Sequence, residues 1–475
     1  MKRITKLLLP LLLAIGIAVL SDAQIPEVEW TKAIGGKGNE RANGIKTDEK
    51  GNLIVVGRFQ SKTLTTDNTT LFKNTEDPDD AADVFILKLD PKGKAVWAIS
   101  AGGFGDDHAL SCTADKKGNI YVTGYFECET LTFGDISVRN SNFTFGRDSI
   151  KYNCDLWLAK FSPEGKCIWI KTAGGEGANG QYGSITLDQQ NNVLVSGIAG
   201  SIMDFGNGVK LRSEKGGAYL AKYSNDGQLL WANGCVNVQF QGLDTDQENN
   251  VYAGGFFEGK VAFNDVSLSS NGKTDACIVK YNPDGKVLWA KNFGGDGGEI
   301  ASCETDPSGA VYLAGLFFSK TISVGTDTLK NKGMINHFIA KFNKYGNLLW
   351  MKSAGGNNGE APAAATREFH IDKNGNAFCT GSNWSEFSFA GKTIKTVAGS
   401  EDILLLKYDK NGNEIWGADY GGTGRNAGRG ITTDRNGNIF LTGSFDQSQL
   451  KIENQMLSNS GSSDVFIVKY SHREK

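Results

Sequence analysis

Short runs of alternating apolar and polar residues recur along the chain from about residue 27 to residue 470. The clearest are LIVVGRF from Leu53, IYVTGYF from Ile120, VYLAGLF from Val311 and IFLTGSF from Ile439. An alternation of period two places successive side chains on opposite faces of a strand. Asn, Asp and Gly cluster between the runs, and these residues favour the tight turns of hairpins. The pattern therefore predicts an all-β chain of short antiparallel strands.

The runs belong to a repeat that is marked by tryptophan. Seven Trp residues are separated by 67, 72, 62, 58, 61 and 66 residues, and each stands in similar local sequence. A Gly-Gly step follows each of them, except in the fourth unit, where Cys235-Val236 stands. Seven copies of one unit are therefore present. The tryptophans are Trp30, Trp97, Trp169, Trp231, Trp289, Trp350 and Trp416.

Each unit predicts four antiparallel strands, which we name A, B, C and D in chain order. A four-stranded sheet cannot bury both of its faces alone, so the seven units are expected to pack around an axis. This predicts a seven-bladed β-propeller. The last unit stops after a strand C from Asp464 to Tyr470, whereas EVEWTKAI near the N-terminus reads as an unpaired strand D. We expect this N-terminal strand to complete the last blade and close the ring.

The units carry the patterns D-x-F-x-x-K-Y, G-x-x-x-W, G-G and D-x-x-G-N-x-Y-V-x-G, as in DVFIVKY at Asp464. In these motifs the chain resembles the bacterial β-propeller repeats of the SBBP type, from Glu27 to Tyr470. The resemblance implies the propeller fold and an exported bacterial protein. It implies no particular activity.

The N-terminus has the features of a secretory signal peptide. Lys2, Arg3 and Lys6 precede an apolar run of 14 residues, and small residues end the segment at Ala23. The run falls short of the roughly 20 residues that span a bilayer, which disfavours the alternative of a membrane anchor. We therefore expect a signal peptide at residues 1–23, a propeller at residues 24–475, and an exported protein of the periplasm or cell surface with no membrane insertion.

Charge and motifs exclude several classes of function. Lys and Arg number 50 against 53 Asp and Glu, so no nucleic-acid partner is indicated. The four histidines have no metal-ligand spacing, and no nucleophile motif such as G-x-S-x-G occurs. The stretch Gly175–Gly180 matches a dinucleotide fingerprint by letter, but it lies between strands and opens no helix. We expect no cofactor, no metal and no catalytic residues of a recognisable motif.

Loop lengths favour one face of the predicted disc as the binding surface. The A to B and C to D turns are short and uniform, whereas the B to C stretches are long and varied, and many contain a small hairpin such as LTFGDISV. The varied B to C and Gly-rich D to A connections share one face, and variable loops carry most binding residues. The candidate binding residues on this face are Glu40, Arg41, Asp106, Asp107, His108, Glu299, Glu360 and Arg425.

Residues repeated in every unit are expected to serve the fold. A Lys in strand C, an Asp at the end of strand A and the Trp in strand D each occur seven times. Asp–Lys pairing and tryptophan packing explain them more simply than seven ligand contacts do. Cysteines in an exported protein permit disulfides. Cys128 and Cys154 bracket the longest insertion and are the predicted pair, with Cys167 as the rival partner.

Three functions stay open from the sequence. The first is a non-catalytic binding or scaffold propeller of the cell envelope, which takes a protein or a surface polysaccharide on the loop-rich face. The second is a carbohydrate-active enzyme whose carboxylates meet at the mouth of the channel, since paired carboxylates about 5 to 10 Å apart cleave glycosidic bonds. The third is a purely structural envelope component. The carboxylates of the second reading are Glu40, Asp106, Asp107, Glu299 and Glu360.

Overall fold

The structure is a computed structural model that describes residues 25–67, 69–74, 81–143, 153–356, 364–396 and 399–472. All regular elements in these ranges are β-strands. The described residues include no helix that is long and apolar enough to cross a membrane. The predicted signal peptide at residues 1–23 and the candidate residue Glu360 lie outside the described residues.

Seven four-stranded antiparallel sheets form the blades, and each has its strands in the order A, B, C, D. This confirms the predicted seven-bladed propeller. Blade 1 has Glu40–Thr47, Leu53–Phe59, Asp83–Leu89 and Ala95–Ala101. Blade 2 has His108–Ala114, Ile120–Phe126, Asp155–Phe161 and Cys167–Ala173. Blade 3 has Ser184–Leu187, Val193–Ala199, Gly217–Tyr223 and Leu229–Val236. Blade 4 has Val238–Thr245, Val251–Phe257, Asp275–Tyr281 and Val287–Phe293.

The remaining blades repeat this plan, and the last is built from both ends of the described chain. Blade 5 has Glu299–Thr305, Val311–Phe317, Asn336–Phe342 and Leu348–Ala354. Blade 6 has Ala364–Ile371, Ala377–Asn383, Asp402–Tyr408 and Glu414–Tyr420. Blade 7 has Asn426–Thr433, Ile439–Phe445 and Asp464–Tyr470 as strands A to C, and Val28–Ile34 as strand D.

The ring closes through the N-terminal strand, as predicted. Val28–Ile34 pairs antiparallel with Asp464–Tyr470, with Ile34 opposite Val465 and Val28 opposite Tyr470. Strand D of blade 7 therefore comes from the start of the chain and its other three strands from the end. Each of the seven blades therefore packs between two neighbouring blades, and the ring is closed.

Strand A lies innermost, and strands B and C form the core. Successive A strands contact one another around the whole ring, from blade 1 to blade 7 and back to blade 1. Strands B and C are buried over almost their full length, because both of their faces pack against neighbouring blades. The apolar clusters consequently lie between blades, as with Ile86 of blade 1 and Val122 of blade 2 in a single cluster.

A small two-stranded hairpin stands in the B to C connection of all seven blades, which extends the sequence prediction that many would have one. The hairpins lie at the outer rim, because each contacts strand D of its own blade and most also contact strand D of the preceding blade. They are Thr63–Thr66 with Thr69–Phe72, Thr130–Phe133 with Ile136–Arg139, Ile202–Asp204 with Lys210–Arg212, Lys260–Phe263 with Val266–Ser269, Thr321–Val324 with Asp327–Lys330, Phe387–Phe389 with Lys392–Ile394, and Gln449–Ile452 with Gln455–Ser458.

Candidate functional site

The repeated aspartate at the end of strand A builds the A to B turn. In blade 1, Asp48 Oδ1 accepts hydrogen bonds from the backbone N–H groups of Lys50 and Asn52, both at 2.9 Å. Its Oδ2 accepts from the Asn52 side chain at 2.8 Å. The same two backbone bonds recur at Asp115, Asp188, Asp246, Asp306, Asp372 and Asp434. The aspartates are turn residues, as the sequence predicted.

The repeated lysine of strand C pairs with this aspartate in four blades. Each Nζ lies 2.9 to 3.2 Å from an Asp Oδ2, and both side chains are largely buried. Such a pair removes the cost of burying either charge alone. The structural interpretation of the Asp–Lys pattern is therefore confirmed for these blades. The pairs are Lys88–Asp48, Lys222–Asp188, Lys280–Asp246 and Lys341–Asp306.

In six blades the repeated tryptophan forms a hydrogen bond with the next blade. In blade 1, Trp97 Nε1 donates to the carbonyl oxygen of Pro163, in the C to D turn of blade 2, at 3.0 Å. Lys88 Nζ donates to the same oxygen at 3.2 Å. Gly165 of that turn has a φ of 88° and lies against the Trp97 ring, so a side chain there would meet the indole. Equivalent bonds are made by Trp30, Trp169, Trp231, Trp289 and Trp350, which confirms their packing role.

The first glycine of the Gly-Gly step leaves room for the side chain of the first residue of strand C. In six blades the first glycine stands opposite this residue, and a Cβ atom on it would overlap the side chain. Blade 3 is the exception, because its strand C begins with Gly217, and Val236 is the opposing residue. The sequence alignment placed Cys235-Val236 at the Gly-Gly step. This placement is wrong by one residue, because Val236, and not Cys235, stands where the first glycine stands in the other blades. The six pairs are Gly35–Asp464, Gly102–Asp83, Gly174–Asp155, Gly294–Asp275, Gly355–Asn336 and Gly421–Asp402.

Three candidate binding carboxylates, Glu40, Asp107 and Glu299, are fully buried and hold the loops together. Glu40 accepts hydrogen bonds from the N–H of Gly36 at 3.0 Å and the N–H of Ser61 at 3.1 Å. Burial raises the pKa of Asp107 to about 8 and that of Glu299 to about 7, despite the hydrogen bonds that each accepts. Their side chains do not reach solvent in this structure, and their role as ligand contacts stays a prediction.

A signal in the sequence could have identified these residues as structural. Glu40, Asp107 and Glu299 each stand ten positions after a repeated tryptophan, and a polar residue holds the same place in the four other units, namely Asn179, Gln241, Glu360 and Asn426. By the rule applied to the repeated lysines, a polar residue at a fixed place in most units serves the blade. Because of this burial, Glu40, Asp107 and Glu299 do not line an open pocket.

The other candidates are divided by the structure. Asp106 Oδ1 accepts from the N–H of Ala82 at 3.0 Å, and Arg425 is exposed on the D to A connection before blade 7. Arg41 and His108, in contrast, lie close enough that the charge of Arg41 helps to lower the pKa of His108. These two residues are the part of the predicted set that the fold brings together.

The expected disulfide does not form in the structure. Cys128 and Cys154 are both buried free thiols. Cys128 packs in the cluster between blades 1 and 2, whereas Cys154 helps to raise the pKa of Tyr219 in blade 3. Asp155 pairs with Phe126, so Cys154 and Cys128 fall on opposite faces of the blade 2 sheet. Alternation along the two strands thus separates residues that bracket the loop in sequence.

The channel contains a group of charges that sequence reasoning missed. Glu304 of blade 5 accepts from Lys46 Nζ at 3.3 Å and from the N–H of Ile371 at 2.6 Å. Burial opposes ionisation of Glu304, but Lys46 and His370 lower its pKa to about 2. Burial and the charge of Glu304 raise the pKa of Glu368 to about 7. These residues come from blades 1, 5 and 6, and nothing in the linear sequence relates them.

The cavity beside this group is small. It has a volume of about 90 Å³, lined by Lys46, Glu304 and Glu368 among others. Pockets that hold organic ligands measure about 300 to 1,000 Å³. The channel carboxylates therefore have space for water but not for a sugar chain. Among the described residues, no group of three or more His, Cys, Asp or Glu side chains is arranged to hold a metal ion.

The blades also differ at the mouth of the channel on the loop-rich face. We define the mouth layer as the penultimate residue of each strand B with its partner at the start of strand A. One layer deeper, strand B has a glycine in all seven blades. The mouth layer, from blade 1 to blade 7, is Arg41–Arg58, His108–Tyr125, Gln181–Ile198, Gln239–Phe256, Ile300–Leu316, Ala365–Ser382 and Ala427–Ser444.

The mouth layer divides the face into a polar and an apolar arc. Blades 6, 7, 1 and 2 contribute arginine, serine, histidine and tyrosine, whereas blades 3 to 5 contribute Ile198, Phe256 and Leu316. A groove of about 550 Å³ lies on the apolar arc between blades 3 and 4, and Ile198 and Phe256 line it. Its volume falls within the range of ligand pockets. Exposed Phe318 of blade 5 extends the apolar surface.

Comparison with known proteins gives a distant viral relative. No family model matches the chain. The chain is 22% identical over 539 aligned residues to an uncharacterized WD repeat-containing protein of Acanthamoeba polyphaga mimivirus. The match covers 93% of this chain and 38% of the viral protein, so the chain spans well under half of that relative. The likeness to exported bacterial repeats, and a bacterial origin, stay predictions.

Solved structures match the chain at low identity and with TM-scores below 0.5. The Neurospora crassa Pan2 WD40 domain is 9% identical with a TM-score of 0.43, and the match covers 92% of this chain and 91% of that one. Sqt1 from Chaetomium thermophilum is 10% identical with a TM-score of 0.43, over 94% and 100% of the two chains. A Bacteroides caccae protein of unknown function is 10% identical with a TM-score of 0.34, over 70% and 89%. The seven-bladed propeller itself rests on the blade topology.

Proposed function

We infer that this chain is an exported binding propeller of the bacterial cell envelope, which holds an external partner at the channel mouth on its loop-rich face. One observation supports the inference. The mouth layer holds six different residue pairs in the seven blades, since only blades 6 and 7 share one, whereas the layer below it is glycine in every blade.

This contrast has a simple physical meaning. A residue that every blade needs for packing recurs in every blade, as the turn aspartates, the tryptophans and the strand B glycines do. A position that is exposed to solvent, and at which the residue changes from blade to blade, is not constrained by blade packing. The mouth layer is largely of this second kind, and it carries the charged and aromatic side chains that bind partners.

Export is tested on the full-length chain in a bacterial host. The apolar run of 14 residues and the small residues at Ser21 to Ala23 support cleavage before Gln24. We expect intact-mass analysis of the protein from the periplasm or medium to show a chain that begins at Gln24. A cytoplasmic protein that retains residues 1–23 would contradict export.

Binding is tested by co-sedimentation of the mature chain with washed envelopes of the bacterium that makes it. Two exposed aromatic residues form a matched pair, because Phe318 follows strand B on the loop-rich face and Tyr345 lies in a C to D turn on the opposite face. We expect Phe318→Ala to weaken co-sedimentation at least fivefold and Tyr345→Ala to leave it within twofold. Equal loss in both variants, or no binding by the unmodified chain, would contradict the proposal.

A further inference from the structure

Four arginines gather on the polar arc of the loop-rich face. Arg41 and Arg58 stand opposite each other in strands A and B of blade 1. Arg367 and Arg429 occupy the irregular position of strand A in blades 6 and 7, where the pairing register shifts. The A strands of these three blades are neighbours around the ring. We call these four residues the arginine group.

The charges in the arginine group act on one another. Burial, together with the charges of Arg58 and Arg367, lowers the pKa of Arg41 to about 10. Burial, together with Arg41 and Arg367, lowers the pKa of Arg429 to about 9. Both Arg41 and Arg429 therefore remain cationic at neutral pH. Among the described residues, one ion pair includes a member of this group, and it joins Glu401 Oε1 to Arg367 Nη2 at 3.5 Å, so the four arginines outnumber their paired carboxylate.

Polar atoms at this place lack partners among the described residues. Arg41 Nε, Arg58 Nε and His108 Nε2 are buried and make no hydrogen bond there. His108 Nδ1 lies 3.0 Å from the hydroxyl oxygen of Tyr125, whereas the other ring nitrogen, Nε2, has no hydrogen-bond partner among the described residues. A buried polar group without a partner costs about 1 to 3 kcal/mol, so three of them in one place need an explanation. A bound oxyanion would accept from the arginine donors.

Beside the arginine group lies an aromatic residue, Tyr182, whose backbone conformation is strained. Tyr182, in the D to A connection before blade 3, has a φ of 55°, in the left-handed region that bulky residues avoid. Its side chain is 56% exposed, and its hydroxyl is near enough to act on the charge of Arg41. Backbone strain of this kind concentrates at ligand-binding sites. An exposed phenol ring offers an apolar face with a polar tip.

We propose that the arginine group binds the carboxylate or sulfate groups of an acidic saccharide, with Tyr182 lying against a sugar ring. Arginine suits this ligand because its planar guanidinium donates two parallel hydrogen bonds to one oxyanion. The combination of an anion site with an aromatic face favours a charged sugar over a free inorganic ion. The proposal rests on the binding function inferred above and names the ligand class of the same face.

The test uses the purified mature chain and three probes in titration calorimetry: a galacturonic acid trimer, its neutral galactose counterpart, and inorganic sulfate. Arg41→Gln and Arg58→Gln remove one charge each. Arg435→Gln is the matched control, because Arg435 lies in an A to B turn on the opposite face. We expect the acidic trimer to bind, the neutral trimer to bind at least tenfold more weakly, and both site variants to lose at least tenfold in affinity. Arg435→Gln should stay within twofold.

Thermal melting shows that the variants fold and gives a second readout. Removing one of several like charges relieves repulsion in the empty site, so Arg58→Gln should melt no lower than the unmodified chain. Sulfate should raise the melting temperature of the unmodified chain more than chloride does at equal ionic strength. This difference should disappear in Arg41→Gln and persist in Arg435→Gln.

The outcomes separate the two proposals. Equal binding of acidic and neutral trimers, or unchanged affinity in both site variants, would overturn the acidic-saccharide assignment. Sulfate binding as tight as that of the acidic trimer would overturn the saccharide part and leave an inorganic-anion site. Envelope co-sedimentation that still depends on Phe318 after either result would leave the binding function standing.

Discussion

Repetition within the chain separates structural residues from functional ones at single positions. The pairing of Gly294 with Asp275 illustrates the principle, because the side chain on one strand requires the absence of a side chain on the other. Blade 3 reverses the pair, with Gly217 opposite Val236. The two arrangements show that one member of each pair must be small.

Exchange of the two members tests this rule. We expect Gly294→Val to lower the free energy of unfolding by about 1 to 3 kcal/mol, because the new side chain overlaps Asp275. The double variant Gly294→Val with Asp275→Gly recreates the blade 3 pair and should recover part of the loss. Complete recovery is not expected, because the Asp275 carboxylate also accepts from Asn271 N–H at 3.0 Å and Asn292 Nδ2 at 2.8 Å.

Urea denaturation of the single and double variants gives the coupling energy. The single variant Asp275→Gly is the control for the lost hydrogen bonds. Strictly additive losses from the two single variants would contradict the steric explanation.

At the scale of elements, the varied B to C connections contribute both to the packed outer rim and to the loop-rich face. Their loop composition suggested a binding surface, yet the hairpin in each of them packs at the outer rim against strand D. The residues that reach inward, such as Leu131, Phe133 and Leu450, are almost fully buried. Much of the sequence diversity on this face therefore belongs to the outer wall, and the mouth layer is the narrower region available to a partner.

Two phenylalanines in these hairpins should differ sharply in their effect on stability. Phe263 of the blade 4 hairpin is 4% exposed, whereas Phe72 of the blade 1 hairpin is 65% exposed. We expect Phe263→Ala to cost about 3 to 5 kcal/mol, as for a buried aromatic residue, and Phe72→Ala to stay within about 0.5 kcal/mol. Chemical denaturation measures both. Similar small losses would show that the hairpins are not part of the core.

At the scale of the whole molecule, stability depends on ring closure. Val28–Ile34 supplies the outer strand of blade 7, and Ser471 N–H donates to Glu27 O at 2.9 Å beside it. Trp30 of this strand also bonds to Pro91 O in blade 1 at 3.3 Å. One short segment therefore joins the two ends of the ring and locks the last blade to the first.

Deletion of residues 24–34 from the mature chain should open the ring. We expect the melting temperature to fall by about 10 °C or more, because strand C of blade 7 loses its outer partner. A synthetic peptide of residues 25–36 added in trans should raise the melting temperature in a concentration-dependent way. A scrambled peptide of the same composition is the control. An unchanged melting temperature after the deletion would show that the ring does not need this strand.

Local patterns in the sequence were sufficient for the fold. Period-two alternation predicted the strands, the tryptophan spacing predicted seven blades, and the orphan strand near the N-terminus predicted the closure. These features are encoded within each unit, and a structure that repeats one unit needs little more information. The repeated Asp, Lys and Trp residues were also interpreted correctly, because a residue needed by each blade appears in each blade.

The site could be predicted only in part. Arg41 and His108 were named from their face, but Arg58, Arg367 and Arg429 were not, since each stands in a different sequence context. Their proximity results from the closure of a ring in which blades 6, 7 and 1 become neighbours. The sequence by itself determined the strands and the blade count, because each unit repeats the same pattern, and it determined the closing strand, because the two ends carry complementary parts of one unit. Only the tertiary structure decided which charges meet at the mouth and in the channel, because residues more than 300 positions apart become neighbours when the ring closes.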